Sequence, residues 1–252
     1  LTNSSGDLVN PAIASGAITL TDAVTIKTTG ALTLSGAMNG NYGLTLDASA
    51  SVVFDGAVGV TERLGAVTIA QATDLTIGDT FRAASFNQAQ AGSGVFKLDG
   101  ALDTDAGAIT IDSAEVDLNA SIATTAGNNG ATDHGKVTIR AGTDGASLLD
   151  GQSITTTAGV DSGLTSGAIE ISSIGTVSLL GDLITTGAAN TSGGRGASGG
   201  AVSVSTSGDA PMDIADIKTS GGASLATGGM GGAAGFVTMT NSSGDIRLHA
   251  SS

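Results

Sequence analysis

Asp133 and His134 stand side by side in a chain that has only two histidines, the other being His249. An Asp–His pair can serve as the orienting and basic parts of a hydrolytic site, but it needs a nucleophile within reach. No such partner is identifiable from spacing, and His134 reads as a loop residue. "GRGASG" (Gly194–Gly199) matches the dinucleotide pattern GxGxxG. That pattern holds pyrophosphate only between a strand and a helix, and here the strand-like "AVSV" follows. "GATDHGKV" (Gly130–Val137) is close to a phosphate-binding loop, yet Val137 stands where a magnesium-binding Ser or Thr is required. Asn3, Asn119, Asn190 and Asn241 open N-x-S triplets, which are read as coincidental. The remaining chemistry is acidic. There are 23 Asp and Glu against nine Lys and Arg, a net charge of −14. Turn carboxylates at Asp7, Asp209 and Asp245 are the candidate calcium ligands, although the calcium nonapeptide is absent. No catalytic or cofactor-binding residue is assigned, calcium is the one cofactor considered, and the chain is expected not to be an enzyme.

The same charge balance excludes a nucleic-acid partner, whose phosphates need a basic surface. It also disfavours an anionic membrane surface. No segment has the roughly 18 consecutive apolar residues of a membrane span. There is no cysteine, so disulfides and thiolate metal sites are excluded. The chain starts at Leu1 without a signal peptide, and the expectation is a processed product or a piece of something longer.

What could position functional residues is a repeat. The pattern small–aliphatic–polar–aliphatic recurs as "AITL" (17–20), "AVTI" (66–69), "AITI" (108–111), "KVTI" (136–139), "AIEI" (168–171) and "AVSV" (201–204). "FVTM" (236–239) keeps the spacing, and a glycine precedes every copy. Period-two alternation with β-branched residues is a strand signal. Glycine at 40 residues defeats a helical reading. A second strand follows in each unit ("EVDL" 115–118, "TVSL" 176–179), then a third ("SIATT" 121–125, "SITTT" 153–157, "LITT" 183–186, "DIKT" 216–219). Aligning the third strands places Ile122, Ile154, Ile184 and Ile217 in one column and Thr124, Thr156, Thr186 and Thr219 in another. The first strands give an inward column of Ile18, Val67, Ile109, Val137, Ile169, Val202 and Val237. An outward column begins at Thr19, and its neighbour two residues on, beginning at Thr21, is too irregular for an ice-binding array.

Three short strands per unit, with like residues at like positions, predict an all-β chain. The predicted form is a right-handed parallel β-helix of about ten three-stranded coils stacked at about 4.8 Å, a rod roughly 50 Å long. Residues 1–252 form one continuous segment, with shorter coils over 1–106 and longer coils over 107–252. The extra length of the second half lies in Gly-rich corner loops at 126–134, 158–166, 187–199 and 220–234. These are expected to be spacer or packing loops. As an alternative, they form a stacked edge that binds glycan or protein. Leu225 and Met230 in the last loop are expected to fold back over neighbouring surface. A glycan-cleaving enzyme would need clustered carboxylates and aromatic platforms, but the acids are scattered and aromatics are 2% of the chain.

The segment 64–111, "LGAVTIAQATDLTIGDTFRAASFNQAQAGSGVFKLDGALDTDAGAITI", resembles the β-strand repeats of giant bacterial surface proteins, the filamentous-haemagglutinin-like adhesins. The resemblance implies a secreted, extracellular or cell-surface shaft without catalytic residues. Its implied partners are neighbouring repeats or copies of the same protein, end to end or laterally, and a host or matrix glycan or protein. The hexapeptide "TNSSGD" occurs at 2–7 and again at 240–245. It is expected to be the corner between first and second strands, with Leu1 the counterpart of Leu20.

Overall fold

The computed structural model describes residues 12–13, 16–125, 135–159, 164–225 and 227–249. Among them there is no helix, and the strands pair in parallel throughout. Every pairing joins a strand to one in the next sequence repeat, and the pairings fall into three ladders.

The first ladder begins with Val24–Thr28, Leu44–Ala48 and Leu64–Gln71 and continues through the middle of Phe81–Leu98. It then runs through the starts of Ile109–Leu118 and Val137–Leu148, and through Ile169–Ser173, Val202–Thr206 and Val237–Asn241. The second ladder includes Leu32–Leu34, Val52–Phe54 and Leu75–Ile77 and ends with Val177–Leu179, Met212–Ile214 and Ile246–Leu248. The third includes Ile18–Thr19, Met38–Asn39, Leu102–Asp105, Ile122–Thr125, Ser153–Thr157, Asp182–Ile184 and Ile217–Lys218. This pairing is compatible with a β-solenoid.

Alternation explains the sidedness of each strand. Leu44–Ala48 buries Leu44, Leu46 and Ala48 and leaves Thr45 and Asp47 on the outer side. The inward residues of all three ladders meet in one continuous core made mainly of Val, Ile and Leu, with Phe, Met and Ala at the remaining places. Full burial of such a side chain is worth about 1.5–3 kcal/mol. A single level has nothing above or below its strands to bond to, so the stack is what stabilises each one.

Two columns differ from the expected alignment. Ile154 faces Leu183, which faces Ile217, so Ile184 is not in that column and points the other way. The threonine column is accordingly Thr124, Thr156, Thr185 and Thr219, with Thr185 in place of Thr186. Leu183 and Ile184 are both aliphatic, so pattern alone cannot choose between registers one residue apart. Ile18 and Thr19 lie in the third ladder, opposite Met38 and Asn39. The first inward column therefore starts at Val24, Leu44 and Val67, and its outer neighbours are Thr25, Thr45 and Thr68.

One level is aromatic. Phe81, Phe86 and Phe96 come from the third, first and second ladders of the same long strand, Phe81–Leu98, and all three are buried. Their rings pack edge to face, with centroids 5.6 Å apart for Phe81–Phe86 and 6.1 Å for Phe86–Phe96. Phe54 from the level before joins at 5.0 Å. Arg63 braces this region from outside. Its guanidinium donates to the Ala83 carbonyl at 3.2 Å and the Asp103 carbonyl at 2.8 Å, and it pairs with the Asp103 carboxylate at 2.8 Å.

In the same strand Gln88 occupies an inward position between Ile69 and Ile111. It is 2% exposed, and its Oε1 accepts no hydrogen bond. A buried acceptor without a donor costs about 1–3 kcal/mol. Gln88→Leu should therefore raise the unfolding free energy by about that amount, measured by urea denaturation. A lower midpoint in the variant would show that Oε1 has a donor in solution.

Candidate functional site

The corner between the third and first ladders is where the sequence varies most and where the geometry is most regular. At each of the later levels a threonine hydroxyl at the end of the third ladder donates to the carbonyl of the glycine that opens the first. Thr104 donates to Gly107 at 2.7 Å, Thr124 to Gly135 at 2.8 Å, Thr156 to Gly167 at 2.5 Å, Thr185 to Gly200 at 2.6 Å and Thr219 to Gly235 at 3.1 Å. Thr104, Thr124, Thr156 and Thr185 are fully buried. The two ends are 3 residues apart at Thr104 and 16 apart at Thr219, so the bond is indifferent to the length of what lies between. At the shortest corner, Ala106 takes φ 56°, a left-handed backbone unusual for a residue with a side chain.

The glycines are fixed by close approach. A Cβ on Gly200 would overlap the Gly167 carbonyl, and one on Gly235 would overlap that of Gly200. Gly107 and Gly135 are held in the same way, against the Ala84 and Gly107 carbonyls.

The loops at this corner are not linkers. In 187–199 and 220–234, main-chain groups bond from loop to loop. Gly187 N donates to Ser220 O at 2.8 Å, Asn190 N to Ala223 O at 2.9 Å and Leu225 N to Asn190 O at 3.0 Å. Gly196 N donates to Met230 O at 3.0 Å and Gly199 N to Ala233 O at 2.9 Å. Ser166 N, from the loop before, donates to Ser198 O at 2.9 Å. The result is a backbone-to-backbone shelf along one edge. "GRGASG" lies inside it. A Cβ on Gly196 would overlap the Gly222 carbonyl, so that glycine serves packing, and no helix follows to receive a phosphate. Leu225 and Met230 do not fold back: each is 68% exposed. Loop 126–134, with Asp133 and His134, lies outside the described residues, as do 160–163 of the loop 158–166.

The acidic turns are used internally. The Asp209 carboxylate accepts the Ser243 hydroxyl, and Asp245 pairs with Arg247 at 3.4 Å. Among the described residues no group of three or more His, Asp or Glu is placed to hold a metal ion, and Asp7 lies outside them. Structure also assigns the N-x-S asparagines. Asn190 is 6% exposed, and its Oδ1 accepts from Ser192 N and Gly194 N. Asn119 donates to Asp99 at 2.9 Å. Asn241 organises the second "TNSSGD". Its Oδ1 accepts from Gly244 N at 2.9 Å, and its Nδ2 donates to Ala210 O at 3.0 Å and Asp245 O at 3.1 Å. The hexapeptide is thus the corner leading from Val237–Asn241 to Ile246–Leu248, as expected. The first copy, Leu1 included, lies outside the described residues. His249 approaches Asp213 at 3.4 Å on an exposed face.

One carboxylate group stands apart. Burial pushes the Glu115 carboxyl above its ordinary value, and the neighbouring Asp117 and Asp144 add to the shift. The chain matches no protein-family model, no curated protein and no solved structure.

Two outcomes follow. Thr156→Val removes one latch and leaves the Gly167 carbonyl without its donor. The expected loss is about 1–3 kcal/mol in denaturant unfolding, with Thr156→Ser recovering most of it; an unchanged midpoint would show that the latch contributes nothing. Glu115 is harder to ionise in the folded chain than in the unfolded one, so ionising it destabilises the fold as pH rises. Glu115→Gln should therefore be more stable than the parent at pH 7. The difference should vanish below about pH 4, where the parent carboxyl is protonated in both states. Equal thermal midpoints at pH 7 would refute this.

Proposed function

We propose that the chain is a rigid, non-catalytic shaft segment of a secreted bacterial surface adhesin or extracellular filament. In this reading the three ladders are the faces of a right-handed parallel β-helix, since parallel crossovers take that hand almost without exception. Support comes from the level-by-level stacking of the ladders and from the resemblance of residues 64–111 to adhesin β-strand repeats. The latches and the main-chain bonded shelf add stiffness along one edge.

The observation that carries the reading is the stacking of inward columns from level to level, as at Val137, Ile169 and Val202, each 0–1% exposed. Val237, Ile246 and Leu248 occupy columns whose preceding members, Val202, Met212 and Ile214, are 0–1% exposed. They are themselves 43%, 42% and 65% exposed. Their strands also offer unpaired backbone groups, a template for another strand. A second copy stacked on these strands would cover the exposed side chains and bury each at about 1.5–3 kcal/mol.

Electron microscopy of the purified chain should show rods joined end to end. Val237→Lys with Leu248→Lys should give dispersed single rods of unchanged circular dichroism. Dispersed particles from the parent chain, or filaments of equal length from the variant, would refute the reading.

A further inference from the structure

The shelf carries a second feature that a shaft does not require. In a chain of net charge −14, residues 183–208 and 217–244 contain no Asp or Glu. Within this acid-free zone Arg195 is exposed at the shelf edge. Its Nε donates to the Gly231 carbonyl at 3.3 Å, which orients the guanidinium. Among the described residues no carboxylate lies within ion-pair distance of it. The other cations are mostly engaged: Lys27, Arg63, Lys97, Lys136, Lys218 and Arg247 all have acidic partners at 3.4 Å or closer. The backbone around Arg195 is bonded to the next loop on both sides, at Asn190 and at Gly196, so the group is presented on a fixed support.

The converse defect lies at a different corner, between the first and second ladders. Glu115 and Asp117 share an outer face, and Asp144 belongs to the next level. Asp144 is exposed and the other two are half-buried. Asp117 accepts a hydrogen bond from Ser147 at 2.9 Å. None of the three has a cation at ion-pair distance among the described residues, and Lys97, which feels Asp117, is bound to Asp99 at 2.8 Å. Asp117 and Asp144 repel the Glu115 carboxylate, and no ion pair among the described residues offsets this.

We propose that the shelf docks laterally on a second copy of this chain, with Arg195 of one rod seated on the Glu115–Asp117–Asp144 cluster of its neighbour. A guanidinium can bond two carboxylate oxygens at once, and its charge opposes the repulsion that Asp117 and Asp144 add to the burial of Glu115. The two surfaces sit on different edges, so the contact is head-to-tail around the rod and repeats into rows rather than closing as a symmetric pair. Arg195 lies between the levels of Val177 and Met212, and Glu115 lies two levels before Val177. Adjacent parallel rods are therefore staggered by two to three levels, roughly 10–15 Å.

The test is sedimentation velocity at low ionic strength in the Val237→Lys, Leu248→Lys background, which keeps end-to-end stacking out of the measurement. That parent should associate and dissociate as salt is added. Arg195→Glu, and separately Glu115→Arg with Asp144→Arg, should each associate at least tenfold more weakly. An equimolar mixture of the two should recover association, because each supplies the charge that the other lacks. Arg195→Gln serves as a milder variant, and unfolding midpoints confirm that each chain is folded. Three outcomes overturn the proposal: a parent that stays monomeric, an Arg195→Glu chain that associates like the parent, or a mixture no tighter than its components. Loss of retention on an acidic polysaccharide by Arg195→Glu, with self-association unchanged, would also overturn it and assign the shelf to glycan.

Discussion

A hydroxyl-to-carbonyl hydrogen bond, repeated from level to level, is the constraint on which the second half of the chain depends. A threonine buried among aliphatic columns has no water to bond, so its hydroxyl must find a protein acceptor. The glycine carbonyl at the start of the next strand is that acceptor. The bond closes each level at a fixed point and separates two jobs. Inside it, strand positions are dictated by stacking. Outside it, the chain is free to vary from a strained two-residue link at Asp105 and Ala106 to a loop that packs against its neighbour. A shelf of glycine-rich loops then follows from the same requirement. Their backbones lie so close together that main-chain groups satisfy one another, and at Gly187, Gly196 and Gly222 a Cβ would collide with a neighbouring carbonyl.

Much of this was legible in the sequence because strand alternation and glycine placement are local signals. "EVDL" and "TVSL" lie in the second ladder as the pattern implies. The polar stretch 85–88, outside the repeated pattern, lies in the first ladder through Phe86. What the pattern could not resolve was register between residues of the same type. Leu183 and Ile184 satisfy the alternation equally, and only the pairing with Ile154 separates them. "AITL" at 17–20 has the texture of a first strand but pairs in the third ladder, since texture carries no information about which neighbour a strand will meet. The latch was visible as a threonine column but not as a bond, because its acceptor is a backbone atom up to 16 residues away. The loop shelf was hidden for the same reason, being held by main-chain groups that every residue possesses.

The charges follow a similar division. Pairs such as Lys27–Asp47, Lys136–Glu170 and Lys218–Asp182 join neighbouring levels across an outer face. They are exposed and worth little individually, but like charges in those places would oppose stacking. Asp99 shows the local logic: Lys97, then Asn119 from the next level, hold its carboxyl below the ordinary value. Glu115 lacks such company among the described residues, and the two carboxylates differ accordingly.

The aromatic level has a further consequence for how the chain finds its alignment. Columns of Val, Ile and Leu are nearly interchangeable, so sliding one part of the stack by a whole level would forfeit few contacts and could trap a misfolded chain. Phe54, Phe81, Phe86 and Phe96 interlock only in one arrangement, and all five phenylalanines but Phe236 belong to it. Arg63 crosses the same place on the outside. Together they act as an alignment pin in an otherwise degenerate stack, fixing the levels before them against the levels after.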